Sequence, residues 1–225
     1  MRCPLAVLVL LSAAVPAYAQ DPVKVDPQHH KVEIENAHVR VLRITLGPGD
    51  KTPPHDHPAS MAIFLTDARN RLSPAGGAVD ESPRKRGDVV AVPGGKHTVE
   101  NIGSERMEIV LVELKNPPMK QGKAVARDAA TLDPKHYTVV AENDRARALR
   151  INYGPKEKSV MHDHPANVAV FLTGTKVMMH LPDGKSAEAA VERGGVQFSE
   201  AQSHQPETSS EGVQAVVVEL KLAAR

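Results

Sequence analysis

The chain is one unit written twice, and that repetition limits the possible folds more than any other feature. Asp26-Pro27 recurs 107 positions on, as Asp133-Pro134. At the same offset His55-Asp56-His57-Pro58-Ala59 recurs as His162-Asp163-His164-Pro165-Ala166, Phe64-Leu65-Thr66 as Phe171-Leu172-Thr173, and His97 as His204. More than a third of positions 26–101 match 133–208 without a gap. The closing segments, 109–115 and 216–221, match after a one-residue deletion. Self-similarity at a fixed period means two copies of one folding unit. We therefore expect two domains, over 26–115 and 133–221. A linker over 116–132 opens on Pro117-Pro118 and has room for a short helical turn.

Each copy reads as short strands. Val39 to Leu46 runs into the turn Gly47-Pro48-Gly49. Met61–Thr66 and Asn167–Thr173 are apolar runs, the pattern of strands covered on both faces. Lys176–Leu181 ends in Pro182-Asp183-Gly184, and Asp88–Val92 in Pro93-Gly94-Gly95. Regularly spaced strands with turns between them predict an all-β sandwich or barrel, and no helical period runs far enough for a major helix.

Arg2, an apolar run from Leu5 to Val15 and Ala17-Tyr18-Ala19 have the layout of a secretory signal over 1–19. The run is shorter than the ~20 residues needed to span a bilayer. The expected location is periplasmic or secreted, with no membrane insertion after cleavage. Cleavage after Ala19 removes the single cysteine, Cys3, so a metal site in the mature chain must use His and carboxylate ligands. A net charge of +1 argues against a nucleic-acid partner, and 3% aromatic residues against stacking platforms for single strands.

Histidine is the abundant functional residue, at 11. On a strand, residues i and i+2 project together, so His55 and His57 share a face, as do His162 and His164. His97 and His204 follow 42 positions after the first member of each pair, and a closed sheet can return them beside it. A lone His-x-His is usually just a solvated strand face; the recurrence of all three is what points to a ligand set. Three neutral imidazoles with open positions suit a divalent first-row ion such as Fe, Mn, Zn, Ni or Cu. His29, His30, His38 and His136 carry no such pattern, and His180 is a candidate pocket residue. Asp56 and Asp163, between the paired histidines, either orient an imidazole or are plain polar strand residues. By alternation Met61, Ile63 and Leu65, with Val168, Val170 and Leu172, would share the histidine face and form an apolar pocket behind each ion. The alternative is that they are ordinary core. Arg84-Lys85-Arg86 reads as a solvated turn.

Gly49-(five residues)-His55-Asp56-His57 resembles the first cupin motif. The segment from Gly87 to His97, with Asn101 beyond, resembles the second, one residue short. The double unit is similar to a bicupin, and to small exported cupins with a His-x-His-Pro signature. The resemblance implies two tandem jelly-roll β-barrels, with His55, His57 and His97 as metal ligands and His162, His164 and His204 as their counterparts. The family's motif-1 Glu is missing: Met61 or Ala62 stands in its place, and Val168 or Ala169 in the second copy. The second copy also has Glu200-Ala201-Gln202 where Pro-Gly-Gly is expected. Without that carboxylate the ion's charge is uncompensated, which favours an anionic exogenous ligand. The expected function is an exported metal-dependent oxygenase acting on a small organic anion. The alternatives are a non-catalytic binding protein for a metal or small molecule, and a metal-free isomerase needing a Tyr, for which only Tyr137 and Tyr153 remain. The chain is expected as a monomer or homo-oligomer.

Overall fold

A computed structural model describes residues 20–116, 119 and 125–222; the expected signal segment lies outside them. The first copy holds the short helix α1 (Pro22–Val25) and nine strands. These are β1 (His30–Glu35), β2 (Val39–Leu46), β3 (His55–His57), β4 (Ser60–Phe64), β5 (Ala68–Pro74), β6 (Pro83–Arg84), β7 (Val89–Val92), β8 (Gly95–Asn101) and β9 (Met107–Leu114). The second repeats the series: α2 (Ala129–Leu132), β10 (Tyr137–Glu142), β11 (Ala146–Tyr153), β12 (His162–His164), β13 (Asn167–Phe171), β14 (Thr175–His180), β15 (Ser186–Val191), β16 (Val196–Ser199), β17 (Gln202–Thr208) and β18 (Val213–Leu220). Each copy pairs a five-stranded sheet with a four-stranded one. The orders are β1-β2-β9-β4-β7 with β3-β8-β5-β6, and β10-β11-β18-β13-β16 with β12-β17-β14-β15. The molecule is all-β, two tandem jelly-roll units.

The five-stranded sheets are buried on both faces, and the period-2 alternation of their strands divides the residues between two cores. Along β2, Leu42, Ile44 and Leu46 turn into the first barrel, while Val39 and Val41 turn outward. On β9, Ile109 and Leu111 face in, and Val110, Val112 and Leu114 face out. The outward sets of both copies meet in one shared core, in which Met61, Ile63 and Val112 pack with Val168, Val170 and Val218.

This overturns the expectation that Met61, Ile63 and Leu65, with Val168, Val170 and Leu172, form the pockets behind the histidines. They lie in the core between the barrels. Pro58 and Pro165 interrupt the chain after the histidine pairs, and β3 and β4 belong to different sheets, so alternation does not carry across the break. The cavity-facing residues are instead Ala62 and Phe64, and in the second copy Ala169 and Phe171.

The contact between the copies is reciprocal. Arg43 donates to the carbonyl of Gly194 at 2.5 Å, and Arg150, its counterpart 107 positions on, donates to the carbonyl of Gly87, the counterpart of Gly194. Each patch meets the other's equivalent, as in a two-fold interface. Gly87 must be glycine: its φ is +86°, and a Cβ would lie 2.7 Å from the Arg150 guanidinium.

The short helices are straps. Asp21 and Asp128 cap α1 and α2 and also pair with Arg40 and Arg147. Those arginines in turn hold the buried Glu113 and Glu219. Asp128 and α2 fall within the segment expected as linker, yet they do in the second copy what Asp21 and α1 do in the first.

Met61→Ala should cost about 2–5 kcal/mol, because a fully buried side chain leaves a cavity between the barrels. Val79→Ala, at a 54% exposed site, should change stability by less than about 0.5 kcal/mol. Equal denaturation midpoints for the two variants would contradict the shared core.

Candidate metal centres

Each histidine cluster is built by one antiparallel register. β3 pairs with β8 so that His55 lies directly opposite His97, and β12 pairs with β17 so that His162 lies opposite His204. The second histidine of each pair, two residues on, shares the face of the first. The six residues named from the sequence therefore form two groups, His55-His57-His97 and His162-His164-His204, and within each the ligand atoms all lie within 4.8 Å of one another. In the first, His97 stands edge-on to both partners, with ring centroids at 4.7 and 4.6 Å. In the second, His162 is edge-on to His164 and His204, both at 4.9 Å.

The hydrogen bonds fix which nitrogen points inward. His55 Nδ1 donates to the Pro53 carbonyl at 2.9 Å, His57 Nδ1 to that of Pro58 at 3.1 Å and His97 Nδ1 to that of Gly95 at 3.2 Å. His162 Nδ1 donates to the Val160 carbonyl at 2.8 Å, and His164 Nδ1 to Glu219 Oε1 at 2.7 Å. These acceptors have no proton to give, so the bonded nitrogen carries the hydrogen and Nε2 keeps the lone pair. Burial reinforces neutrality. Desolvation lowers His57, His97 and His162 to about 4, and His204 to about 3.

Such a donor set fits a transition ion. His162 Nε2 and His164 Nε2 stand 3.2 Å apart. With both Nδ1 atoms protonated, two lone pairs face each other, an arrangement that a shared cation stabilises. Metal–imidazole bonds of ~2.0–2.1 Å at angles between octahedral and tetrahedral place two nitrogens about 2.9–3.3 Å apart.

The two centres differ behind the imidazoles. Glu219 accepts from His164 and from Arg147, whose Nε lies at 2.8 Å. Its counterpart Glu113 is held in both oxygens by Arg40, and His57 turns to Pro58 instead. A carboxylate thus acts on the second centre through an imidazole, though none sits among the ligands. Sequence reasoning missed Glu219. Its signal was the repeated Arg40/Arg147 and Glu113/Glu219 on facing strands.

Asp163 holds the strap and not an imidazole. It accepts from the Arg127 backbone and side chain and from Ser203. His180 is bonded to Ser186 and Glu207. His30, unassigned from sequence, is buried edge-on to His55 at 5.1 Å. Tyr137 occupies the matching place near His162, with Tyr153 donating to its hydroxyl at 2.9 Å. Burial raises both phenols, so they stay protonated at neutral pH.

A cavity opens inward from each cluster, of about 50 Å³ in the first barrel and about 180 Å³ in the second. Both walls are largely apolar. Arg84 lines the first cavity and lies over the Phe64 ring at 5.8 Å, so the expectation of a solvated turn fails for that residue. Arg84 sits on β6, paired with β5, while Lys85 does face solvent and pairs with Asp67.

No family model and no curated protein sequence matches the chain. Solved structures do. Salicylate 1,2-dioxygenase from Pseudoaminobacter salicylatoxidans, in a structure with gentisate, matches with a TM-score of 0.55 at 11% identity, over 81% of this chain and 68% of that one. A cupin 2 conserved barrel domain protein from Leptotrichia buccalis matches with a TM-score of 0.54 at 9% identity, over 85% of this chain and 88% of that one. The architecture reached from the repeat and the histidine motifs is therefore the cupin fold, present twice in one chain.

Proposed function

We propose that this protein is an exported metal-binding bicupin that holds a divalent transition ion in each histidine triad and acts as an oxygenase on a small organic anion. One observation carries the metal reading: in the second triad two Nε2 lone pairs converge at 3.2 Å while both Nδ1 hydrogens are committed elsewhere. The oxygenase reading is supported by the shared fold of a solved salicylate dioxygenase and by the donor set, which leaves an ion's charge open to an anion. Export rests on the sequence of residues 1–19.

His55, His57 and His97, with His162, His164 and His204, would hold the ions. A bound ion there supplies a positive centre for an anionic ligand and for dioxygen. The chain's own contribution is positional. Backbone carbonyls lock the rings, the sheets exclude bulk water and the apolar walls keep the local dielectric low.

A second reading, a non-catalytic binding protein, is favoured by the second cavity, whose lining among the described residues contains no carboxylate or amine to move protons. Oxygen uptake with a panel of small acids separates the two: turnover with any of them excludes pure binding.

The metal-loaded protein should carry two ions per chain by elemental analysis. His55→Ala with His57→Ala should remove one, and His162→Ala with His164→Ala the other; metal content unchanged in both would sink the proposal. Glu219→Gln should weaken retention at the second centre by about ten- to a hundredfold and leave the first unchanged. Competition with a chelator reads both. For the metal-free protein the sign of the pH effect is fixed. The four lowered histidines take up protons more readily when unfolded, so stability is full above about pH 6.5 and falls toward pH 4. A denaturation midpoint that stays level over that window would contradict the buried neutral imidazoles.

A further inference from the structure

Two buried polar atoms without a hydrogen-bond partner among the described residues, Asn70 Oδ1 and Arg84 Nε, lie on residues lining the cavity that His55, His57 and His97 also line. Asn70 is 6% exposed. One atom accepts and the other donates, so their complement is a molecule with an anionic oxygen and a nearby hydroxyl. Arg84 is already held for this. Its terminal nitrogen donates to Asp80, its plane lies over Phe64 and its Nε–H is left over. Asp80 also lines the cavity and balances the guanidinium, so a divalent ion would leave the site net positive. About 50 Å³ admits only a few water-sized groups, which limits the molecule to a short chain.

The duplication supplies the contrast. At the positions of Asn70, Asp80 and Arg84, the second copy has Val177, Ala187 and Val191. Its cavity is larger, with Val177 and Val191 in its wall. The barrels keep the same three histidines and differ in what stands across from them.

We propose that the first cavity binds a short hydroxy acid, its carboxylate anchored by Arg84 Nε–H and its hydroxyl donating to Asn70 Oδ1, while the second takes an uncharged or more apolar ligand. This deepens the metal reading above and rests on it for the ion, but not for the anchor. Arg84 is a binding residue that sets specificity.

Calorimetric titration of zinc-loaded protein with lactate, propionate and lactamide tests it, alongside Arg84→Val and Asn70→Val, which install the second barrel's residues. Lactate should bind at one site per chain. Propionate lacks the hydroxyl and lactamide the charge, and each should bind more weakly. Arg84→Val should weaken lactate by about ten- to a hundredfold, the loss expected for a charge-assisted hydrogen bond. Asn70→Val should remove the preference for lactate over propionate. Zinc per chain, measured on the same samples, should not change. Wild-type affinity in Arg84→Val, no binding of lactate by the wild type, or loss of lactate together with zinc would each overturn the anchor. A wild type holding no zinc would instead refute the metal reading, and the lactate comparison on that protein would still decide for or against Arg84.

Discussion

The cross-strand register of β3 with β8, repeated by β12 with β17, is the constraint on which both histidine clusters depend. It sets the third histidine directly opposite the first, although 42 positions separate them in sequence. A slip of one residue would turn His97 or His204 to the other face, because side chains alternate along a strand. The register is itself guarded. Thr52 and Asn101 tie the loop before β3 to β8, since Thr52 accepts from Val99 and Asn101 donates to the carbonyls of Leu46 and Gly47. The carbonyls that fix the rings, those of Pro53, Pro58 and Gly95, come from the same two strands and their flanks. One local arrangement thus places the imidazoles and also fixes their tautomer.

Around that common arrangement the copies have diverged in chemistry and not in architecture. The Asp–Arg–Glu chain persists in both, as Asp21-Arg40-Glu113 and Asp128-Arg147-Glu219. In the first copy it ends at Glu113, both of whose oxygens accept from Arg40; in the second it continues through Glu219 to His164. Across from the histidines the first copy has two charged side chains and an amide, and the second has valines and two linked tyrosines. Two cores with the same strands and different walls are what duplication followed by specialisation would leave. Each barrel's outer sheet face is closed by the other, so neither wall could change without keeping the shared core filled.

The all-β fold and the gathering of the six histidines into two clusters were legible in the sequence, because residues repeated at one offset mark a duplicated unit and the i, i+2 spacing puts two histidines on one strand face. Three things were not. The pocket walls were assigned to Met61, Ile63 and Leu65 because alternation was carried across Pro58, where the chain changes sheets. Arg84 was read as solvated with Lys85 and Arg86, yet only the pairing of a two-residue strand, β6, brings it to the cavity. Glu219 lies 55 residues from His164 and reaches it through the packing of the two sheets, which no local pattern records.

In the proposed centres three imidazoles, and no carboxylate or thiolate, hold the ion in each barrel. X-ray absorption on the metal-loaded protein reads this directly, through the scattering from whole imidazole rings. About three imidazole nitrogens per ion are expected at ~2.0–2.1 Å, with no sulfur shell. A spectrum with oxygen ligands and one imidazole or none would contradict it.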